Sequence, residues 1–171
     1  MPTESASSYS RRRASQLPLT FAGASVLSHP LVAWAVQKKS VITVWKTPNC
    51  GCCKAWVTHL QSNGFEVVTN DVSDTGPIRQ KAGLPDKFGS CHTALLEGYV
   101  LEGHVPAQDI RRLLREKPKA IGLAVPGMPV GSPGMEMGVA RDAYEVVVVL
   151  KDGSSKTFQS YPAISSVSSK V

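Results

Sequence analysis

Aromatic residues make up only 6% of the 171-residue chain and do not interleave with its basic residues. Nucleic-acid binding usually rests on a clustered basic face with stacking platforms, so that class is set aside despite a formal net charge of +6. The lysines and arginines are scattered, apart from Arg11-Arg12-Arg13. A stable membrane span is also lacking, because the apolar run from Leu17 to Val36 is interrupted by His29 and Pro30. No internal repeat is visible. Cysteine is absent outside Cys50, Cys52, Cys53 and Cys91, and methionine, beyond the initiator, is confined to Met128, Met135 and Met137. What remains is 42% hydrophobic and 19% charged, the composition of a folded domain with a real core.

The first 35 residues read as an export leader. A basic cluster precedes the apolar run, which ends in small residues around Ala33-Trp34-Ala35. Ser10-Arg11-Arg12 has some twin-arginine character but lacks the apolar residues that normally follow such a pair, so general and twin-arginine export both stay open. A basic tail on a cytoplasmic protein is the bland alternative. Export would place the cysteines in an oxidising compartment, where they end as disulfides or are held by metal.

Residues 41–161 read as one α/β domain, followed by a loose tail over 162–171. Val41 to Trp45 is β-branched and apolar, a buried first strand. Thr47-Pro48-Asn49 breaks it. From Cys52 to Ser62 the pattern is helical, with Cys53, Trp56, Val57 and Leu60 on one face and Asn63-Gly64 as the stop. A second strand over Phe65–Val72 and a short helix over Pro77–Ala82 follow. Thr93–Glu97 and Tyr99–Gly103 form a hairpin around Gly98. Pro106 opens a helix that runs to Glu116 and carries Ile110, Leu113 and Leu114 on one face. Tyr144–Leu150 and Lys156–Tyr161 make a C-terminal hairpin. Between the helix ending at Glu116 and this hairpin lies Gly122 to Gly138, GLAVPGMPVGSPGMEMG, too rich in Gly and Pro for a helix or strand and therefore a long loop. A C-x-x-C at the junction of a first strand and first helix, in a chain of this element order, predicts a thioredoxin-like fold: a mixed sheet flanked by helices.

Cys50-Gly51-Cys52-Cys53 offers three sulfurs in one short loop at a helix N-terminus. That end carries partial positive charge, which favours thiolate. Thiolate is soft and selects Cu(I), Zn(II) or iron–sulfur centres. Three readings compete. Two plain disulfides, such as Cys50–Cys53 with Cys52–Cys91, are one reading, but three clustered cysteines staple almost nothing, because closing a tiny loop removes little chain entropy. A thiol–disulfide oxidoreductase needs only Cys50 and Cys53. A metal site uses all four cysteines, and a four-thiolate zinc site is chemically as natural as copper.

Histidine adds little at this level. His59 lies seven residues beyond Cys52, roughly 10 Å along a helix axis, and reads as a surface or packing residue. His92 follows Cys91; in an extended segment their side chains point to opposite faces, so His92 reads as an orienting group or nothing, and is only a secondary candidate metal ligand. His104, at the end of the hairpin, reads as a structural histidine. Met128, Met135 and Met137 are either further soft donors for Cu(I) or apolar anchors for their loop.

Three stretches, TPNCGCCKAWVTHLQSNGFEV, SCHTALLEGYVLEGHVPAQDIRRLL and GLAVPGMPVGSPGMEMG, together with their order, give the chain its resemblance to the CopG-like family of exported copper-resistance proteins. The resemblance covers roughly Val41 to Tyr161. It implies a thioredoxin-like fold, a periplasmic location and copper bound by Cys50, Cys52, Cys53 and Cys91, with a sulfur-bridged multinuclear cluster as one form. Interconversion of Cu(I) and Cu(II), or transfer to a periplasmic copper-handling partner, are activities it leaves open. Redox thioredoxins usually set a cis-proline opposite the C-x-x-C. Here Ser90-Cys91-His92-Thr93 has no proline, so a fourth sulfur is expected to face the other three.

Overall fold

The computed structural model describes residues 40–165. The expected leader at 1–35 and residues 166–171 of the expected tail lie outside the described residues. Seven strands form one mixed sheet: β1 (Val41–Lys46), β2 (Glu66–Asp71), β3 (His92–Leu96), β4 (Tyr99–Glu102), β5 (Ala120–Ala124), β6 (Tyr144–Leu150) and β7 (Ser155–Tyr161), in the spatial order β2-β1-β3-β4-β5-β6-β7. Helix α1 (Gly51–Ser62) connects the parallel pair β1 and β2; α2 (Gly76–Lys81) leads to a single 3-10 turn at Asp86–Phe88; α3 (Ala107–Glu116) connects the parallel pair β4 and β5. Strand, helix, strand, helix, hairpin and helix thus follow in the order on which the thioredoxin-like expectation rested, and the sheet is mixed and flanked by helices as expected. Among the described residues no helix is long and apolar enough to cross a membrane.

Burial follows the sequence periodicities. On α1 the buried residues are Cys53, Trp56, Val57 and Leu60, the face its spacing predicts. They join Ile42 and Val44 of β1, Ala94 and Leu96 of β3, Leu101 of β4, and Ile110 and Leu113 of α3 in the main core. Trp56 is fully enclosed, and its indole N–H donates to the Val105 carbonyl at 2.9 Å, so the large ring is buried without an unpaired donor. On the other face of the sheet Leu84 and Phe88, from the segment around the 3-10 turn, cover Val100, Ala124 and Val149.

Two expectations need correction. The segment taken for an unpatterned loop from Gly122 begins as an interior strand, β5, parallel to β4 and antiparallel to β6. Five residues containing a glycine and followed by Val125-Pro126 carry no legible strand signal; the neighbours on both sides make the strand. The tail, expected to be loose over 162–171, is held at Ile164, whose N–H and C=O both bond the Arg141 backbone.

Helices α1 and α3 are also tied by a polar contact. The half-buried His59 accepts the Ala107 N–H on Nε2 at 3.2 Å, satisfying one of the free donors in the first turn of α3. Burial lowers the His59 pKa below its ordinary value, opposed by Glu136 and reinforced by Arg111.

Gly122 lies so close to β4 that a Cβ there would stand 1.8 Å from the Val100 carbonyl oxygen. The substitution Gly122→Ala is expected to lower stability by at least the roughly 1–3 kcal/mol typical of overpacking, seen as a fall in the urea midpoint; an unchanged midpoint would show that β4 and β5 can move apart freely. His59 gives a second expectation. The unfolded chain binds its proton near the ordinary histidine pKa while the folded chain resists, so stability present above about pH 6.5 is lost as the pH falls. In His59→Gln the urea midpoint between about pH 7 and 5 should depend less steeply on pH, with the slope from the other buried histidines remaining. An identical slope would rule out linkage through His59.

Candidate metal centre

The site forms where β1 ends. Antiparallel pairing sets Lys46, the last residue of β1, opposite His92, the first of β3. One step outward on β3 is Cys91, and just beyond Lys46 the chain turns through Thr47-Pro48-Asn49 into α1. Cys50 caps that helix: its backbone is extended, and its sulfur accepts the Cys53 N–H at 3.3 Å. Cys50 and Cys53, one helical turn apart, are joined as a disulfide, while Cys52 and Cys91 are free thiols. The Cys52 sulfur lies 3.4 Å from that of Cys50 and 3.8 Å from that of Cys91. All four sulfurs lie within 4.8 Å of one another, so the fourth does face the other three. Of the plain pairings weighed from sequence, the first is made and Cys52–Cys91 is not.

The Cys91 turn is held from beneath by a buried carboxylate. Glu102, without any exposure, accepts the Ser90 N–H at 2.7 Å, the Thr93 hydroxyl at 2.7 Å and the Arg79 guanidinium at 3.1 Å. Burial raises its pKa, and these partners pull it back. The Ser90 hydroxyl donates to the Gly127 carbonyl, tying the same turn to the Gly/Pro/Met loop.

That loop folds over the start of α1. Gly134, at φ +87°, packs so tightly that a Cβ would lie 2.7 Å from both the Cys52 carbonyl oxygen and the Trp56 nitrogen. The loop is internally bonded, with the Gly131 N–H donating to the Met135 carbonyl at 2.8 Å and the Met135 N–H to that of Ser132 at 2.8 Å. Its methionines differ in setting: Met128 and Met137 are exposed, Met135 half-buried.

Both buried histidines stand closer to the cysteines than the sequence implies. Cys91 sits in the bend before β3, so the alternation expected of extended chain does not hold, and its sulfur lies 3.3 Å from Nδ1 of His92. His104 comes to the same sulfur from β4: its Nε2 is 3.2 Å away, and its Nδ1 bonds the Pro133 carbonyl oxygen at 2.8 Å. It is structural, as expected, but it also belongs to the site. A signal for this lay in the hairpin. The pairing of Thr93 with Glu102, continued two residues, sets Cys91 opposite His104. His59, by contrast, is engaged with α3 and takes no part.

Burial keeps Cys91 protonated and both rings uncharged. Burial, then the neighbouring Cys52, pushes the Cys91 thiol up to about 12. Burial, then His104, lowers His92 to about 3, and burial lowers His104. Both rings are therefore uncharged at neutral pH, the form in which imidazole can bind a metal. Nε2 of His92 is buried without a hydrogen-bond partner. Clustered soft sulfurs, two neutral rings and an orphaned buried nitrogen make a donor set that fits a thiophilic metal ion once Cys50 and Cys53 are reduced.

A family model described as a protein of unknown function, DUF411, matches residues 88–135, which include Cys91, both buried histidines and most of the Gly/Pro/Met loop. No curated protein matches at a significant level. Two solved structures of the copper resistance protein CopG do match. Form 1 is 47% identical, with a TM-score of 0.70 over 73% of this chain and 99% of the other. Form 2 is 46% identical, with a TM-score of 0.70 over 73% of this chain and 100% of the other. With close to half of its residues identical over almost the full length of those chains, this protein belongs to the CopG family of copper resistance proteins.

Proposed function

We propose that this protein serves copper tolerance as an exported, periplasmic copper-binding protein, holding Cu(I) on the thiolates of Cys50, Cys52, Cys53 and Cys91. The observation that carries the reading is the convergence of four sulfurs within 4.8 Å, one of them brought from 38 residues beyond the others by strand pairing. A two-sulfur redox centre has no use for Cys52 and Cys91. Thiolates held this close can each contact more than one ion, so a multinuclear sulfur-bridged cluster suits the arrangement. A coordinated thiol gives up its proton outright, and so binding would offset the burial that keeps Cys91 protonated. Copper held this way can change oxidation state, which makes Cu(I)/Cu(II) interconversion or delivery to a periplasmic copper-handling partner the natural roles. Met128 and Met137, exposed on the same loop that packs Gly134 against α1, offer further soft thioether sulfur. Zinc fits four thiolates as well, and the CopG relatives are what favour copper.

One observation favours a second reading. The Cys50–Cys53 disulfide spans the C-x-x-C at a helix N-terminus, the arrangement a thiol–disulfide oxidoreductase requires.

The two readings separate in one experiment. The chain, reduced and loaded anaerobically with Cu(I), is expected to retain more than one copper, and both Cys91→Ser and Cys52→Ser should retain less. Under the oxidoreductase reading Cys52→Ser keeps full disulfide reductase activity and the wild type keeps no copper. Copper retained equally by wild type and both variants would remove Cys52 and Cys91 from the ligand set.

A further inference from the structure

Tyr144, the first residue of β6, and Tyr161, the last of β7, pair across the strands and stack nearly parallel with ring centres 4.6 Å apart. Both rings line two hollows. The first, of about 260 Å³, lies between the start of α3 and the Gly/Pro/Met loop, with Pro106, Ala107 and Pro133 among its walls. The second, of about 280 Å³, is bounded by Ala143 and Pro162. Ligand pockets begin at about 300 Å³, so neither hollow suits a cofactor-sized molecule; in series they suit an extended chain that lays a side chain into each. Nε2 of His59 accepts the Ala107 N–H, so the proton of the neutral ring is on Nδ1. Among the described residues neither that N–H nor the Tyr144 hydroxyl has a partner. The Tyr161 hydroxyl is fixed, donating to Asp109 and accepting from the Gln108 amide, each at 2.6 Å, so the aromatic wall is set before anything binds. Two exposed carboxylates complete the surface, Glu136 at the first hollow and Glu145 at the second. Neither forms an ion pair among the described residues. The neighbouring cations are engaged elsewhere: Arg141 lies over Tyr161 and donates to the Pro162 carbonyl, and Arg111 donates to that of Asn63.

We propose that this surface docks a proline-rich, basic segment of a partner protein in the polyproline II conformation. Such a segment has no internal hydrogen bonds, so its bare carbonyls can accept from His59 Nδ1 and the Tyr144 hydroxyl. Its proline rings pack on the tyrosine and proline walls, the mode of aromatic-lined grooves that read this conformation. Its stiffness keeps the cost of ordering low. Lysine or arginine, recurring once per turn of that helix, meets the unpaired carboxylates of Glu136 and Glu145. The surface adjoins the metal centre, because Pro133 lines the first hollow and its carbonyl holds His104. A partner held there is placed to exchange metal, but docking does not depend on metal and is tested without it.

The probe is a synthetic peptide of repeated Pro-Pro-Arg, titrated into the isotopically labelled full chain without metal and followed by NMR amide shifts. Saturable shifts are expected at Ala107, Gln108, Gly131, Tyr144 and Tyr161, and none at Leu84 or Phe88 on the other face of the sheet. Repeated Gly-Gly-Arg, which keeps the charge and loses the stiffness, should bind about tenfold more weakly. Glu136→Gln/Glu145→Gln should cost the Pro-Pro-Arg peptide about tenfold in affinity, as the loss of two exposed ion pairs. Gln108→Arg, at an exposed position of α3, should block the first hollow by bulk and charge. Circular dichroism checks that the variants fold, and the wild-type shift map stands without them. The proposal is overturned by absent or unsaturable shifts, by shifts confined to another surface, or by equal binding of the glycine peptide, which would reduce the contact to charge alone. Because no copper is present, a failure here leaves the four-cysteine reading intact, and a chain that holds no copper leaves the docking result standing.

Discussion

The antiparallel pairing of β3 with both β1 and β4 is the constraint on which the site depends. Setting His92 against Lys46 delivers Cys91 to the level at which β1 turns into α1, and setting Thr93 against Glu102 brings His104 back to the same level. A slip of one residue in either pairing would turn the side chains of that strand to the opposite face of the sheet. The cysteine loop itself needs no such accuracy, since Cys50, Cys52 and Cys53 are held together by one turn of helix. It is the fourth sulfur and the two imidazoles that the sheet must place.

Glu102 guards that placement. A carboxylate without exposure is costly unless its oxygens are bonded, and removing one partner of such a group typically costs about 3–5 kcal/mol. Here the backbone of Ser90, the hydroxyl of Thr93 and the guanidinium of Arg79 supply the bonds. The same three contacts fix the turn that carries Cys91, so the cost of burying a charge is met by groups that also position a ligand. The Gly/Pro/Met loop closes the arrangement from the other side, with the Pro133 carbonyl orienting His104 and Gly134 seated against the first turn of α1. Its lack of regular structure is a consequence of that duty: a helix or strand could not present a carbonyl and a side-chain-free position at these two points.

Burial governs the charge of the groups around Cys91. With Cys50 and Cys53 joined, only Cys52 and Cys91 could carry negative charge, and burial holds Cys91 as a thiol. His92 and His104 are held neutral by burial, which avoids the large penalty of a buried unpaired ion. A bound cation reverses each of these preferences at once. Metal binding and thiol oxidation are therefore alternative ways of satisfying the same sulfurs, which accounts for the two functional readings that the C-x-C-C loop supports.

Much of this was legible in the chain. The buried face of α1, the first hairpin, α3 and the C-terminal hairpin follow from periodicity and turn residues, and three of the four sulfurs lie within four consecutive positions because chelating spacing on a helix turn is a local property. Local elements, thiophilic chemistry and family membership are therefore readable from the chain alone. Other features emerge only when distant segments pair. β5 exists because β4 and β6 hydrogen-bond it on both sides, although its own residues carry no strand signal. The bend at Cys91 overrode the alternation that would have turned His92 away. His104 joined the site through strand register, which spacing alone does not reveal. Sequence periodicity reports what a residue does within a few positions of itself, whereas a site built across three strands depends on pairings whose partners lie far apart in the chain.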